Sequence, residues 1–137
     1  MQKLMQPLMA TMLTTTLVWL TACATTSQVT AKNKFLAQTH YDIAITRFQT
    51  GDLRETLREL LKTIELNPEL GEAHNALGMV YHALEHLDES LTHYEAAVKY
   101  KPTFSEAYNN MGTLLIDLGR YDDAIASFQV ALGDILY

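Results

Sequence analysis

Residues 71–104, GEAHNALGMVYHALEHLDESLTHYEAAVKYKPTF, decide the fold because they return in altered form as residues 105–137, SEAYNNMGTLLIDLGRYDDAIASFQVALGDILY. A weaker copy precedes them at residues 37–70. A fixed period of this length is typical of stacked helical hairpins, each burying its apolar face against its neighbours. The clearest recurrences, each 34 positions apart, are Leu77 and Met111, Gly78 and Gly112, and Pro68 and Pro102.

Helix boundaries are predicted where helix-breaking residues interrupt the periodic pattern. The interruptions lie at Gly51, at Pro68, near 85–87, at Pro102 and at Gly119. They divide the chain from Lys34 onward into six helices of about 12 to 15 residues. Glycine suits the tight turns because it adopts positive φ without strain, and proline ends a helix because it has no N–H group.

Asp52 followed by Glu55 predicts a capping box at the start of the second helix.

Small and large residues recur at positions where the two helices of a hairpin should face each other. A small residue opposite a large one allows the two helices to approach closely without voids, so these residues are the predicted core. The small residues are Ala44, Gly78 and Gly112 on the first helices, with Thr56, Ser90 and Ala124 on the second. The large residues are Ile43, Leu77, Met111, Leu60, Tyr94 and Phe128, and further small residues at Thr63, Ala97 and Ala131 are expected where the next repeat packs.

This pattern resembles the tetratricopeptide repeat over residues 37–137. The resemblance implies an all-α fold, an α-solenoid of three helix-turn-helix repeats at about 37–70, 71–104 and 105–137 within a domain at 34–137. Repeat one departs from the pattern, with Arg47 at the position of Tyr81. A terminal repeat is expected to diverge because one of its sides faces solvent.

The N-terminus predicts export rather than folded structure. Residues 8–20 are largely apolar, but too short for a spanning helix, so residues 1–22 are expected to be a signal peptide. The sequence Leu20-Thr21-Ala22-Cys23 contains the only cysteine and resembles a bacterial lipobox. That resemblance implies lipidation of Cys23, a membrane anchor through the lipid, and, with Ala24 following, localisation to the outer membrane facing the periplasm. The alternative is an ordinary signal peptide with an incidental cysteine.

Residues 23–33 are then expected to form the lipidated cysteine and a flexible tether, since they are small, polar and without helical periodicity.

Function is expected to lie in a protein-binding groove formed by the first helix of each pair. Residues spaced i, i+4 and i+7 share one helical face. The predicted groove residues are Tyr41, Ile45, Phe48, Asn75, Met79, His82, Asn109, Thr113 and Ile116. Apolar side chains would form pockets for a peptide, while Asn75 and Asn109 would bond its backbone. The alternative is that Tyr41, Ile45 and Phe48 pack against the tether or the signal remnant.

Charge and motifs exclude several other classes of function. The formal net charge of −6 disfavours nucleic acid. No enzyme motif is present, so no catalytic residue, cofactor or small-molecule substrate is expected. His82, His86 and His93 are spaced by 4 and 7, and His82 with His86 could begin a metal site, but His86 is expected at the turn and neither a cysteine nor a third ligand lies at suitable spacing. No metal site is therefore expected, and His74 is expected to be partly buried. The predicted groove has no lysine or arginine and has Glu72 and Glu106 nearby, which disfavours ligands with an acidic C-terminus.

The whole architecture resembles the type IV pilus biogenesis lipoproteins, the outer-membrane pilotins. The resemblance rests on the lipobox, the short tether, the run Tyr108-Asn109-Asn110-Met111-Gly112 and the irregular segment 131–137. It implies a partner segment from the pilus secretin, and a longer natural chain of which this is the N-terminal half. The alternatives are a general envelope adaptor recruiting peptidoglycan enzymes or outer-membrane assembly factors, or an enzyme whose catalytic domain lies elsewhere.

Overall fold

The computed structural model describes residue 28 and residues 30–133, and these residues contain six helices and no strand. The chain divides into two compact units, residues 1–35 and 36–137. The predicted signal peptide, Cys23 and residues 134–137 lie outside the described residues. Within the described part, no helix combines the length and apolar character needed to cross a membrane. The helices are α1 (30–49), α2 (Leu53–Leu66), α3 (Gly71–Ala83), α4 (Leu87–Tyr100), α5 (Ser105–Asp117) and α6 (Tyr121–Gly133).

The helices form three hairpins, α1/α2, α3/α4 and α5/α6, and each hairpin packs on the next along the chain. The prediction of an all-α chain of helical hairpins is therefore confirmed. The structure differs in where α1 starts, because residues 30–33, assigned to the tether, are helical. Ala31 and Lys32 are good helix formers, and no glycine or proline separates them from the rest of α1.

The turns within the hairpins have the predicted backbone geometry. Gly51 and Gly119 have φ of 78° and 71°, and the equivalent residue of the middle hairpin, Glu85, has φ of 61°. A left-handed conformation is unstrained for glycine but costs a residue with a side chain about 1–2 kcal/mol. The middle turn therefore carries backbone strain that the other two avoid.

Only half of the predicted capping box forms at the start of α2. The Asp52 side chain accepts a hydrogen bond from the Glu55 backbone N–H at 3.1 Å, as predicted. The Asp52 N–H, however, donates to the Arg47 carbonyl at 3.1 Å. Because that donor is already used by the preceding turn, the Glu55 carboxylate pairs instead with Arg58.

Small residues face large ones inside each hairpin, as expected. A Cβ built on Gly78 would lie 2.5 Å from Tyr94 Cε1, and one on Gly112 would lie 2.7 Å from Phe128 Cε1. In the first hairpin Ala44 and Leu60 belong to one buried cluster. The backbones of each pair can approach this closely only because one partner has little or no side chain.

Two details of this packing were not predicted correctly from the sequence. Ser90 is more than a small residue, since its hydroxyl donates to the Gly78 carbonyl at 2.8 Å across the hairpin. Ile43, predicted to be core, is 39% exposed. Its equivalent Leu77 is fully buried in a cluster with Leu60 of the preceding hairpin, whereas no described helix precedes α1 to cover Ile43.

Candidate functional site: a groove along the first helices

Two adjoining cavities lie between α1, α3 and α5, the first helices of the three hairpins. The larger has a volume of about 400 Å³ and the smaller about 120 Å³. Phe48 and Met79 line both cavities, so the two form one continuous depression, which we call the groove. The remaining lining residues are His82, Ala83, Tyr94, Asn110 and Thr113 in the larger cavity, and Tyr41, Ile45, Asn75, Ala76 and Glu106 in the smaller.

Helix α1 contributes Tyr41, Ile45 and Phe48 from one face, at the spacing i, i+4 and i+7. All three are partly buried and pack against the buried cluster to which α1, α2 and α3 each contribute. Packing against that cluster holds these side chains in place while leaving part of each accessible from the groove. The groove floor is therefore a surface of the core rather than a set of free side chains.

The structure brings seven of the nine predicted groove residues together and separates two. The two exceptions are on α5: Asn109 lines a different cavity, between α5 and α6, and Ile116 is 45% exposed and lines none of these cavities. The groove forms between consecutive first helices, so α3 contributes the edge with Asn75, Met79 and His82, which faces α5. Asn109 and Ile116 occupy that same edge of α5, which no further described helix faces. The seven that lie together are Tyr41, Ile45, Phe48, Asn75, Met79, His82 and Thr113.

Five lining residues were not predicted to be part of the groove, although Glu106 was expected near it. Glu106 and Asn110 lie on the opposite edge of α5, at the spacing i and i+4, and continue to Thr113. Using the same three positions in every repeat could not identify them. Where two first helices meet, the earlier helix contributes the edge that faces the later one, and the later helix contributes its other edge, which faces back. The other three missed residues are Ala76, Ala83 and Tyr94.

Asn75 has a different role from the one predicted. It is only 4% exposed, and its amide donates to Glu106 Oε1 at 3.2 Å and accepts from Asn110 Nδ2 at 3.1 Å. A buried amide needs such partners because burying it unpaired costs about 1–3 kcal/mol. Asn75 therefore joins α3 to α5 and positions Glu106, rather than offering its amide to a peptide backbone.

Acidic groups surround the groove. Asp117 accepts a 2.7 Å bond from His82 Nε2 at the end of α5. Partial burial, and then the charges of Glu72, Glu106 and Asp42, raise the pKa of the Tyr41 hydroxyl. None of the described lysines or arginines lines either cavity. The groove is therefore apolar at its floor and negative at its edges.

Outside the groove, α3 and α4 hold a pair of histidines in contact. His74 Nε2 lies 2.9 Å from the Pro68 carbonyl, which can only accept, so this nitrogen carries the proton. With the proton at Nε2, His74 Nδ1 can accept from His93 Nδ1, 3.1 Å away. Burial, with the neighbouring His74, lowers the pKa of His93 to about 4.

His74 and His93 are 19 residues apart in the sequence. The same separation relates His40 and Glu59 in the first hairpin, where His40 Nδ1 lies 2.6 Å from Glu59 Oε2. Burial alone would raise the pKa of the Glu59 carboxyl, but hydrogen bonds from His40 and Lys62 lower it below its ordinary value. His82, His86 and His93 do not form a ligand set, and the described residues contain no group of three metal-ligating side chains.

Comparison with family models and solved structures places these helices among known repeats. Two models of the tetratricopeptide repeat match residues 71–104 and 93–126. Residues 71–126 thus carry tetratricopeptide repeats. No curated protein matched the chain.

Among solved structures, a crystal structure of MamA is 28% identical, with a TM-score of 0.68 over 72% of this chain. This chain spans 57% of that MamA chain. The second TPR of Spaghetti (RPAP3), bound to the HSP90 peptide SRMEEVD, has a TM-score of 0.78 at 16% identity, covering 81% of this chain and 96% of that one. The TPR2B domain of yeast Sti1, in a pHsp70 complex, has a TM-score of 0.70 at 18% identity, covering 73% and 80%. The last two show the fold alone.

Proposed function

We propose that this tetratricopeptide-repeat chain is a non-enzymatic scaffold that binds a segment of a partner protein in the groove. The observation that carries the proposal is the continuity of the two cavities through Phe48 and Met79. An apolar depression lined by parallel stripes of side chains can take the apolar residues of an extended or helical segment. The peptide-bound TPR structure of similar fold supports the same mode of use.

The test is selection of peptide ligands on the full chain, followed by affinity measurement on groove variants. Peptides selected from a random displayed library are labelled and titrated by fluorescence anisotropy. Phe48→Ala removes a side chain shared by both cavities, and we expect the affinity to fall by about tenfold or more, as for a central contact residue. Ile125→Ala is the matched control, since Ile125 is apolar and 55% exposed on α6, outside the groove.

Phe48 also packs against the core, so Phe48→Ala can affect folding as well as binding. A second variant is therefore needed that changes the groove and leaves the core contacts in place. Thr113 is exposed and lines the larger cavity, so Thr113→Tyr fills the cavity without removing core contacts. We expect it to weaken the same peptides while far-ultraviolet circular dichroism stays unchanged. Selected peptides that bind both groove variants as tightly as the parent chain would refute the groove as the binding site.

We further propose that the chain is an outer-membrane lipoprotein anchored through Cys23, and that its partner segment belongs to the pilus secretin. The support is the lipobox-like sequence Leu20–Cys23 and the resemblance to the pilotins. A lipid anchor would confine scaffold and partner to one surface, so a weak groove interaction would suffice.

This role has two separate tests in cells. Cys23→Ser should abolish labelling by a palmitate analogue, and persistent labelling would disprove the anchor. Secretin should co-purify with the parent chain and be lost with Thr113→Tyr. Co-purification of peptidoglycan enzymes or outer-membrane assembly factors without secretin would reject the pilus role in favour of a general envelope adaptor.

A further inference from the structure

We propose that the groove selects partner segments in which a lysine or arginine lies close to apolar side chains. This inference rests on the proposed function, since it requires that the groove be the binding site. It names the chemistry of the partner: an apolar segment with positive charge, not an acidic tail.

The charges that face the groove are carboxylates. Of the ionisable side chains that line the two cavities, Glu106 is the carboxylate, and no described lysine or arginine joins it. Glu72 and Asp42 act on the same Tyr41 hydroxyl as Glu106, so three carboxylates lie around this end of the groove. A ligand carboxylate entering there would meet like charge, whereas a ligand cation would meet complementary charge.

The carboxylates around the groove differ in the side chains that already bond to them. Glu72 accepts from Lys101 Nζ at 2.5 Å. Asp117 is bonded to His82. Glu106 accepts from the neutral amide of Asn75, which orients the carboxylate without cancelling its charge. Asp42 also accepts only from a neutral amide, that of Gln38 at 2.9 Å, but it lines neither cavity. Glu106 lines the smaller cavity and is therefore the carboxylate best placed to receive a cation.

The groove has negative charge and apolar surface within the length of a short segment. Glu106 lies in the first turn of α5 and Asp117 is its last residue, so the two are about 16 Å apart along the helix axis at 1.5 Å per residue. Phe48 and Met79 form the apolar floor shared by the two cavities. An extended segment crosses such a span in about five residues at 3.3 Å each. Because Glu106 lines the smaller cavity together with Phe48 and Met79, a basic residue and its apolar neighbours fit within one short segment.

The test compares three labelled peptides that share one apolar core flanked by lysine, serine or glutamate, titrated against the full chain by fluorescence anisotropy. We expect the lysine-flanked peptide to bind most tightly and to lose affinity as salt is raised. Glu106→Gln keeps the oxygen that accepts from Asn75 but removes the charge, and it should weaken the lysine-flanked peptide by about five- to tenfold. Glu95→Gln, the same change at an exposed position of α4, should leave the affinity unchanged.

The outcomes separate this inference from the proposed function. Equal binding of all three peptides, or tighter binding of the glutamate-flanked peptide, overturns charge selection, as does an unchanged affinity in Glu106→Gln. If Phe48→Ala or Thr113→Tyr still weakens these peptides, the groove remains the binding site. If neither groove variant affects any peptide, the proposed function fails and this inference fails with it.

Discussion

Replacing Gly78 by alanine tests the close approach of α3 and α4 on which the repeat packing depends. The new Cβ would lie 2.5, 2.6 and 2.9 Å from Cε1, Cδ1 and Cζ of Tyr94. Ordinary contact begins at 3.4 Å, so the ring must move by about 1 Å. Tyr94 is only 1% exposed, so packed neighbours hold most of the ring in place, although one part of the side chain borders the larger cavity of the groove.

The expected magnitude is the balance of two opposing effects. Inserting a methyl group into a well-packed core costs about 1–3 kcal/mol, and the buried ring places this site near 3. Alanine in place of glycine within a helix recovers about 1 kcal/mol. Gly78→Ala should therefore lower the free energy of unfolding by about 2 kcal/mol, which is about a thirtyfold change in the folding equilibrium.

The measurement is urea unfolding of the full chain, monitored by far-ultraviolet circular dichroism. Gly112→Ala is the matched comparison and should cost less, because the Phe128 side chain is only partly buried and can yield more easily than Tyr94, which is 1% exposed. Combining Gly78→Ala with Tyr94→Leu recreates the alanine–leucine pair of the first hairpin and should cost less than the sum of the single changes. A neutral Gly78→Ala, or a strictly additive double variant, would refute the steric argument.

Three further stability predictions follow from particular contacts. Stability should fall as the pH drops from neutral to 4, because unfolded histidine binds a proton at its ordinary pKa of 6.5 while His93 in the fold does so at about 4. At 1.36 kcal/mol per pH unit, the loss of unfolding free energy has an upper bound of about 3.4 kcal/mol. Partial exposure of His93 reduces the expected loss to about 1–2 kcal/mol. His93→Gln should flatten this dependence in unfolding curves measured across that pH range. Glu85→Gly should stabilise the chain by about 1 kcal/mol, since φ at Glu85 is 61°. Asp52→Ala should destabilise it by about 1 kcal/mol through loss of the helix cap.

Each of these has an outcome that would contradict it. An unchanged pH dependence in His93→Gln would remove that residue as the source of acid sensitivity. A melting temperature that falls in Glu85→Gly would mean that the side chain contributes more than the turn strain costs. An Asp52→Ala variant as stable as the parent chain would show that water replaces the cap.

Much of the fold could be predicted because the same local features, turn residues, helix-ending residues and pairs of small and large side chains, recur from repeat to repeat. Turn glycines and helix-ending prolines act over a few residues, and the pairing of Gly78 with Tyr94 recurs as Gly112 with Phe128. Errors arose where a residue depended on what lies beyond its own repeat. Ile43 has the sequence of a core position, but none of the described helices covers it as the preceding hairpin covers Leu77.

The groove was only partly predictable for a related reason. The spacing i, i+4 and i+7 identified one edge of each first helix, and that edge on α1 and α3 does line the groove. It could not identify Glu106 and Asn110, because they enter the groove from the opposite edge of the next helix. Nor could it show that Asn75 is already bonded to both of them.

The order of residues along the chain alone determined the helices, their turns and the pairing of small with large residues, since these depend on neighbours within one period. Which edge of each helix faces which neighbour, and so which charges meet a ligand, was decided only by stacking. That stacking sets the angle and offset between hairpins through contacts more than thirty residues apart, such as Asn75 with Glu106 and Asn110. No periodic pattern within a single hairpin carries that information.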